Sequence, residues 1–254
     1  MLDLIEPFSA YLQKKALFRP VYLPDDYAFS FDAPFEEFFL DTPDGARLNL
    51  LRFPSKWMPR RGVVLYFHGN RDNLQRWGAM HTDFTSRGFD FVAPDYRGYG
   101  KSTGEPGERT YYEDARFVYD WLRPEYPAHQ IILFGRSLGT GMAAFLAAHV
   151  RARMVILETP FDNIGGLLAS FLRRPEIPFR PAVFFPNDRH LRQSSLPALL
   201  FHGTADRVVP YACAARLQTC LKPGDEFVTI PGGAHHNLRE FPLYQQKLSA
   251  WLDH

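Results

Sequence analysis

The amino-acid sequence predicts an α/β fold: a mostly parallel eight-stranded sheet flanked by helices. Two observations carry the prediction. Six short runs, at 63–67, 90–93, 131–134, 155–158, 199–202 and 227–230, are almost continuously apolar, the pattern of strands buried on both faces. Helix-length stretches at 74–87, 111–123, 140–149, 211–221 and 242–251 lie between most of them, and that alternation implies crossover connections within a parallel sheet. Ahead of these, runs at 37–40 and 48–53 flank Pro43-Asp44-Gly45. Those three residues favour a tight turn, so the two runs read as an antiparallel hairpin.

The chain has 254 residues, of which 46% are hydrophobic and 22% charged, the balance of a packed globular protein rather than a disordered one. Residues 1–36 are expected to pack on a body formed by 37–254. Within that body, 159–197 breaks the rhythm: it holds Pro160, Pro175, Pro178, Pro181, Pro186 and Pro197 and no clear strand. An insertion of this kind is usually functional, and we read it as a short lid. The formal net charge is +1, with no basic run longer than a pair, which argues against a nucleic-acid partner.

Cys213 and Cys220 lie seven residues apart on one predicted helix, about 10 Å along its axis, too far for a disulfide. Unbridged thiols suit a reducing compartment, and a cytoplasmic location is expected. The sequence offers neither a leader pattern nor an apolar run of membrane-spanning length, so neither secretion nor a membrane span is expected. Leu4, Ile5, Phe8, Tyr11, Leu12 and Leu17 share one helical face. Docking of this face on the protein's own body is expected, with peripheral membrane contact as the alternative.

In a parallel sheet the ligand-facing residues lie beyond the carboxyl ends of the strands. Gly135-Arg136-Ser137-Leu138-Gly139 stands between an apolar strand and the small-residue helix from Thr140. This is the strand-turn-helix setting in which Gly-x-Ser-x-Gly presents a nucleophile. A serine hydroxyl needs a histidine base, and the histidine needs an acid to hold its tautomer. Asp206 follows the strand at 199–202 and fits the acid, with Asp162 in reserve. The last strand runs into Gly232-Gly233-Ala234-His235-His236-Asn237. Only one of two adjacent histidines should reach Ser137, and the residues themselves leave both open. His68-Gly69-Asn70 follows the strand at 63–67, and we assign the oxyanion donors to the backbone N–H groups of Asn70 and Leu138. His68 reads as structural and Ser102 as a loop residue. The remaining histidines lack metal-ligand spacing, so neither metal nor cofactor is expected.

Together with the stretch from Pro94 to Ser102, these motifs resemble the α/β-hydrolase superfamily from about residue 37 onward. In particular they resemble its serine-aminopeptidase-like branch of esterases and thioesterases. The resemblance implies an α/β-hydrolase fold and a Ser137–His236–Asp206 triad, because the catalytic histidine of that branch precedes an asparagine. His235 is then the alternative base. It also implies hydrolysis of a carboxylic ester or thioester, with an aminopeptidase-type amide hydrolase or a non-catalytic binding module as alternatives. Serine at the nucleophile position disfavours alkyl-halide and epoxide opening. Phe161, Phe171, Phe179, Phe184 and Phe185 suggest an apolar acyl group, and Arg173, Arg174 and Arg180 read as solvent-facing. The expected partner is a small acyl substrate, taken by a monomer or a dimer.

Overall fold

The computed structural model describes residues 17–177 and 181–253. Its strands, in chain order, are β1 (Arg19–Pro20), β2 (Glu36–Asp41), β3 (Arg47–Phe53), β4 (Gly62–Phe67), β5 (Arg71–Asp72), β6 (Phe89–Pro94), β7 (Ile131–Arg136), β8 (Met154–Glu158), β9 (Ala198–Gly203) and β10 (Glu226–Ile230). β1 and β5 form a small parallel pair, and the other eight form one sheet in the order β10-β9-β8-β7-β4-β6-β3-β2. β3 runs antiparallel to β2 and β6, while all other neighbours pair in parallel. All eight predicted strands of the main sheet are present, each longer by one or two residues at its ends.

Successive side chains of the central strands point to opposite faces, and both faces are covered. Val63, Leu65, Ile131 and Leu133 pack beneath one layer, and Val64, Tyr66, Ile132 and Phe134 beneath the other. All eight are essentially inaccessible, and burying each such apolar side chain stabilises by about 1.5–3 kcal/mol. This explains why the strands read as unbroken apolar runs rather than alternating ones.

The helices are α1 (Leu74–Trp77), α2 (Thr82–Thr85), α3 (Glu108–Leu122), α4 (Gly139–His149), α5 (Ile164–Leu172), α6 (Asn187–Gln193), α7 (Tyr211–Ala215) and α8 (Pro242–Asp253). The single helix expected over 74–87 is instead α1 and α2 joined by a tighter 3-10 turn, Gly78–His81. The turn begins where the Phe31 ring leans on the backbone: a Cβ on Gly78 would sit 2.5 Å from its Cζ. Likewise α7 passes into a 3-10 turn, Arg216–Cys220. Both cysteines are buried and free.

α4 is buried almost all round, packed between the sheet, α3 and α6. At Gly141 a side chain would have to displace the Phe185 ring, since a Cβ there would lie 2.6 Å from Phe185 Cδ1. The segment 159–197 is stitched to the body. Its Phe184 and Phe185 N–H groups donate to the Glu108 carboxylate at 2.5 and 2.9 Å, and Arg216 holds Asp162 at 2.7 Å. Phe161 and Phe185 belong to the core, whereas Phe171 is exposed. Phe179 and Arg180 lie outside the described residues, as do Leu4, Ile5, Phe8, Tyr11 and Leu12. Leu17 packs against the core. Among the described residues no helix is long and apolar enough to cross a membrane.

Candidate active site

β7 ends in the turn that carries Ser137, whose φ of 51° lies in the left-handed region. That conformation is costly for a residue with a side chain and persists only where its surroundings impose it. Here the Ser137 N–H donates to the Glu158 carbonyl at 2.9 Å, and the Ser137 carbonyl accepts from Thr140 N at 3.0 Å and Thr140 Oγ1 at 2.6 Å. The glycines two positions away are obligatory for a steric reason. A Cβ on Gly135 would lie 2.5 Å from the Gly139 carbonyl oxygen, and one on Gly139 would lie 2.0 Å from that of Phe67.

Two further loops bring a base and an acid to this turn. His235 Nε2 lies 3.1 Å from Ser137 Oγ, and His235 Nδ1 lies 2.7 Å from Asp206 Oδ2. Asp206 Oδ1 accepts from the N–H groups of Val208 and Val209, both at 2.8 Å. Burial opposes the Asp206 charge, but His235, the Val209 N–H and His202 outweigh it and hold the carboxyl below its usual range. The carboxylate therefore stays ionised to orient the imidazole.

The histidine assignment is corrected by one residue: His235, not His236, reaches Ser137. The cause lies in the loop backbone. Asn237 Oδ1 accepts from Ala234 N at 2.8 Å and closes a tight turn over 234–237. Within that turn Arg136 Nη2 donates to the His235 carbonyl at 3.0 Å. His235 is thereby buried, while the His236 ring stands at 85° to it and is exposed. Asp162, the reserve acid, is occupied by Arg216.

Asn70 follows β4, and Leu138 follows Ser137 at the N-terminus of α4. Among the described residues neither of their N–H groups is spent on a protein hydrogen bond. The loop beneath Asn70 is braced by buried polar groups. His68 Nε2 lies 3.1 Å from Asp95 Oδ1, Tyr96 OH donates to the His68 carbonyl at 2.6 Å, and Tyr99 OH donates to Asn70. The Asn70 side chain faces the other way and ties down the incoming chain, donating to the Leu17 carbonyl at 2.5 Å and accepting from Arg19 N at 3.3 Å.

Sequence reasoning missed a second set of residues. Arg136, inside the Gly-x-Ser-x-Gly motif, is buried and paired with buried Glu158 at 2.8 Å. Burial opposes its charge, but Glu158 outweighs it and raises the guanidinium pKa above the usual value. Tyr244 OH donates to the other Glu158 oxygen at 2.7 Å. Arg76 and Arg136 both stand over the Trp77 ring, with guanidinium carbons 4.9 and 5.3 Å from its centroid. Arg76, Trp77 and Arg136, with Arg19, Asn70, Arg71, Val208, His235 and His236, line a cleft of about 300 Å³ over Ser137. Only a charged side chain in an otherwise apolar strand end, such as Glu158, signalled any of this in the sequence.

Comparison with known proteins agrees with the fold. Residues 58–174 match the family model described as serine aminopeptidase, S33. Human protein ABHD12B is 30% identical over 205 residues, 69% of this chain and 56% of that protein. The mouse lysophosphatidylserine lipase ABHD12 is 30% identical over 187 residues, 65% of this chain and 46% of that protein. This chain thus spans about half the length of these relatives. Among solved structures, an esterase from Pyrococcus furiosus superposes with a TM-score of 0.71 at 16% identity, over 92% of this chain and 98% of that one. An esterase domain from Rhodothermus marinus gives 0.65 at 20% identity, over 86% and 97%.

Proposed function

We propose that this chain, which belongs to the α/β-hydrolase superfamily, hydrolyses a carboxylic ester or thioester through an acyl-enzyme at Ser137. The observation that carries the reading is the unbroken relay from Ser137 Oγ through His235 to Asp206, at 3.1 and 2.7 Å. Both distances lie within the reach that proton transfer requires.

Ser137 Oγ attacks the carbonyl carbon as His235 Nε2 takes its proton, and the imidazolium so formed is stabilised by the Asp206 carboxylate. The negative charge on the former carbonyl oxygen falls to the N–H groups of Asn70 and Leu138, and the N-terminal end of α4 adds its dipole. His235 then protonates the departing alcohol or thiol, leaving the acyl group on Ser137. A water molecule, deprotonated by the same imidazole, releases the acid and restores the serine.

Relatives and neighbours named as lipases and esterases support ester cleavage over peptide cleavage. So does the cleft: a free amino terminus needs a carboxylate, and among the described residues the lining offers arginines instead. Among the described residues the apolar side chains of the lining are Trp77 and Val208, and a volume near 300 Å³ is at the small end for ligand sites. A short or medium acyl group is therefore the expected substrate. A series of p-nitrophenyl esters of rising chain length should show turnover that a fluorophosphonate abolishes by labelling Ser137. Native protein that neither hydrolyses any ester nor takes the label would sink the reading. Faster cleavage of amino-acid anilides than of esters would replace it with the amidase.

A further inference from the structure

The cleft over Ser137 carries more positive charge than the relay uses. Among the described residues four arginines line it, namely Arg19, Arg71, Arg76 and Arg136. Two are already matched: Arg136 pairs with Glu158 and Arg76 with Asp72, and both rest on the Trp77 ring. The Asp206 carboxylate is taken up by His235 and two backbone N–H groups. Arg19 and Arg71 have no ion-pair partner among the described residues, and both are exposed to the cleft.

Their placement is unusual for two charges of the same sign. β1 and β5 pair in parallel with Arg19 in register with Arg71, so the two backbones stand about 4.8 Å apart. Like charges held this close repel each other. Here the pair is nevertheless held on both sides. The Arg19 N–H is bonded to Asn70 and Tyr99, and the Arg71 carbonyl accepts from Trp77 Nε1 at 2.6 Å. The fold therefore holds the two arginine backbones side by side at the mouth of the Ser137 cleft, and among the described residues no carboxylate pairs with either guanidinium.

We propose that Arg19 and Arg71 form a phosphate subsite, so that the preferred ester carries a phosphate group close to the scissile carbonyl. Two adjacent guanidinium forks match a group with several free oxygens, each fork taking a bidentate pair. A carboxylate has only enough oxygens for one fork. This proposal rests on the hydrolase reading above, and it names the class of substrate for the same site.

The test uses esters that differ in one group: a 1-acylglycerol and its 3-phosphate with the same acyl chain, that chain chosen from the p-nitrophenyl series. The phosphate ester should have the higher kcat/KM by about tenfold or more, mainly through KM, and the preference should shrink as salt is raised. In the double variant Arg19→Gln, Arg71→Gln the ratio between the two esters should fall to within about twofold, since the substitutions leave the backbone hydrogen bonds of both residues in place. Glycerol 3-phosphate should compete with p-nitrophenyl ester turnover about tenfold better than glycerate does. Glycerate competing equally well would overturn the phosphate assignment, and an unchanged ester ratio in the double variant would overturn the subsite. Titration of Ser137→Ala protein with the acylglycerol phosphate separates this idea from the hydrolase reading. Binding that depends on both arginines without ester turnover by the native protein keeps the subsite and removes the enzyme, whereas turnover with no arginine dependence does the reverse.

Discussion

At single residues, the proposed acyl transfer hangs on which of two adjacent imidazoles faces inward. His235 makes both contacts of the relay, so His235→Ala should cost on the order of 10³-fold or more in kcat/KM, as loss of a triad base does. His236→Ala should stay within about tenfold of the native value, because that ring lines the cleft without entering the relay. Steady-state kinetics on one p-nitrophenyl ester decides between them, and the reverse ranking would return the assignment to His236. Gly139→Ala is a sharper perturbation than its size suggests. The added methyl would lie 2.0 Å from the Phe67 carbonyl, displacing the strand that carries the oxyanion loop, so ester turnover should be lost together with thermal stability. Ser137 and Asp206 were legible because each follows an apolar strand in a loop of fixed chemistry. The histidine was not, because neighbouring positions in a turn differ only in orientation, and Asn237 and Arg136 set that orientation across the fold.

At the element scale, the contact of α6 with α4 contains a titration switch for stability. His190 packs edge-on to Tyr112 and Phe145, with its ring centroid 5.8 Å from that of His149. Burial, reinforced by His149 and Arg189, pushes it down from 6.5 to about 4. The folded state thus excludes a proton that the unfolded chain accepts below pH about 6.5. The stabilising contribution of neutral His190 is present above pH 6.5 and is lost as pH falls from there toward 4. His190→Phe keeps the ring and removes the titration. Urea midpoints measured at pH 7 and pH 5 should therefore differ less in the variant than in the native chain, and an equal difference would show that the slope comes from other groups. The two predicted helices that came out shortened, at 74–87 and 211–221, share a different lesson. Periodicity reports which side of a helix is buried, but a local change from α to 3-10 pitch depends on what presses against the backbone, such as Phe31 on Gly78.

At the scale of the whole molecule, the sheet order brings the site together. β7 sits between β4 and β8, so the Asn70 loop, the Ser137 turn and Glu158 emerge side by side, with β9 and β10 adding Asp206 and His235. The far edge is tied to this centre by Arg97, which contacts Asp44 in the β2–β3 turn at 2.6 and 2.8 Å and Asp114 on α3 at 2.7 and 2.8 Å. Burial raises the Asp114 carboxyl even with Arg97 beside it. Removing the arginine should therefore leave a poorly compensated acid, at a cost of about 3 kcal/mol. Thermal unfolding of Arg97→Ala should move down by roughly 6–12 °C, and a shift under about 2 °C would mean the clamp is solvated rather than structural.

Local patterns in the sequence specify the sheet, its hairpin edge, the Ser137 turn and the loop that carries Asp206. Each of these is written in a local pattern: apolar runs, glycine spacing, or a polar residue just past a strand. Only the tertiary structure decided which histidine turns inward, that Phe161 and Phe185 fill the core, and that four arginines separated by as many as 117 positions converge on Ser137. These outcomes depend on which strand ends become neighbours, and strand order follows from the packing of whole layers, so a window of consecutive residues does not contain it.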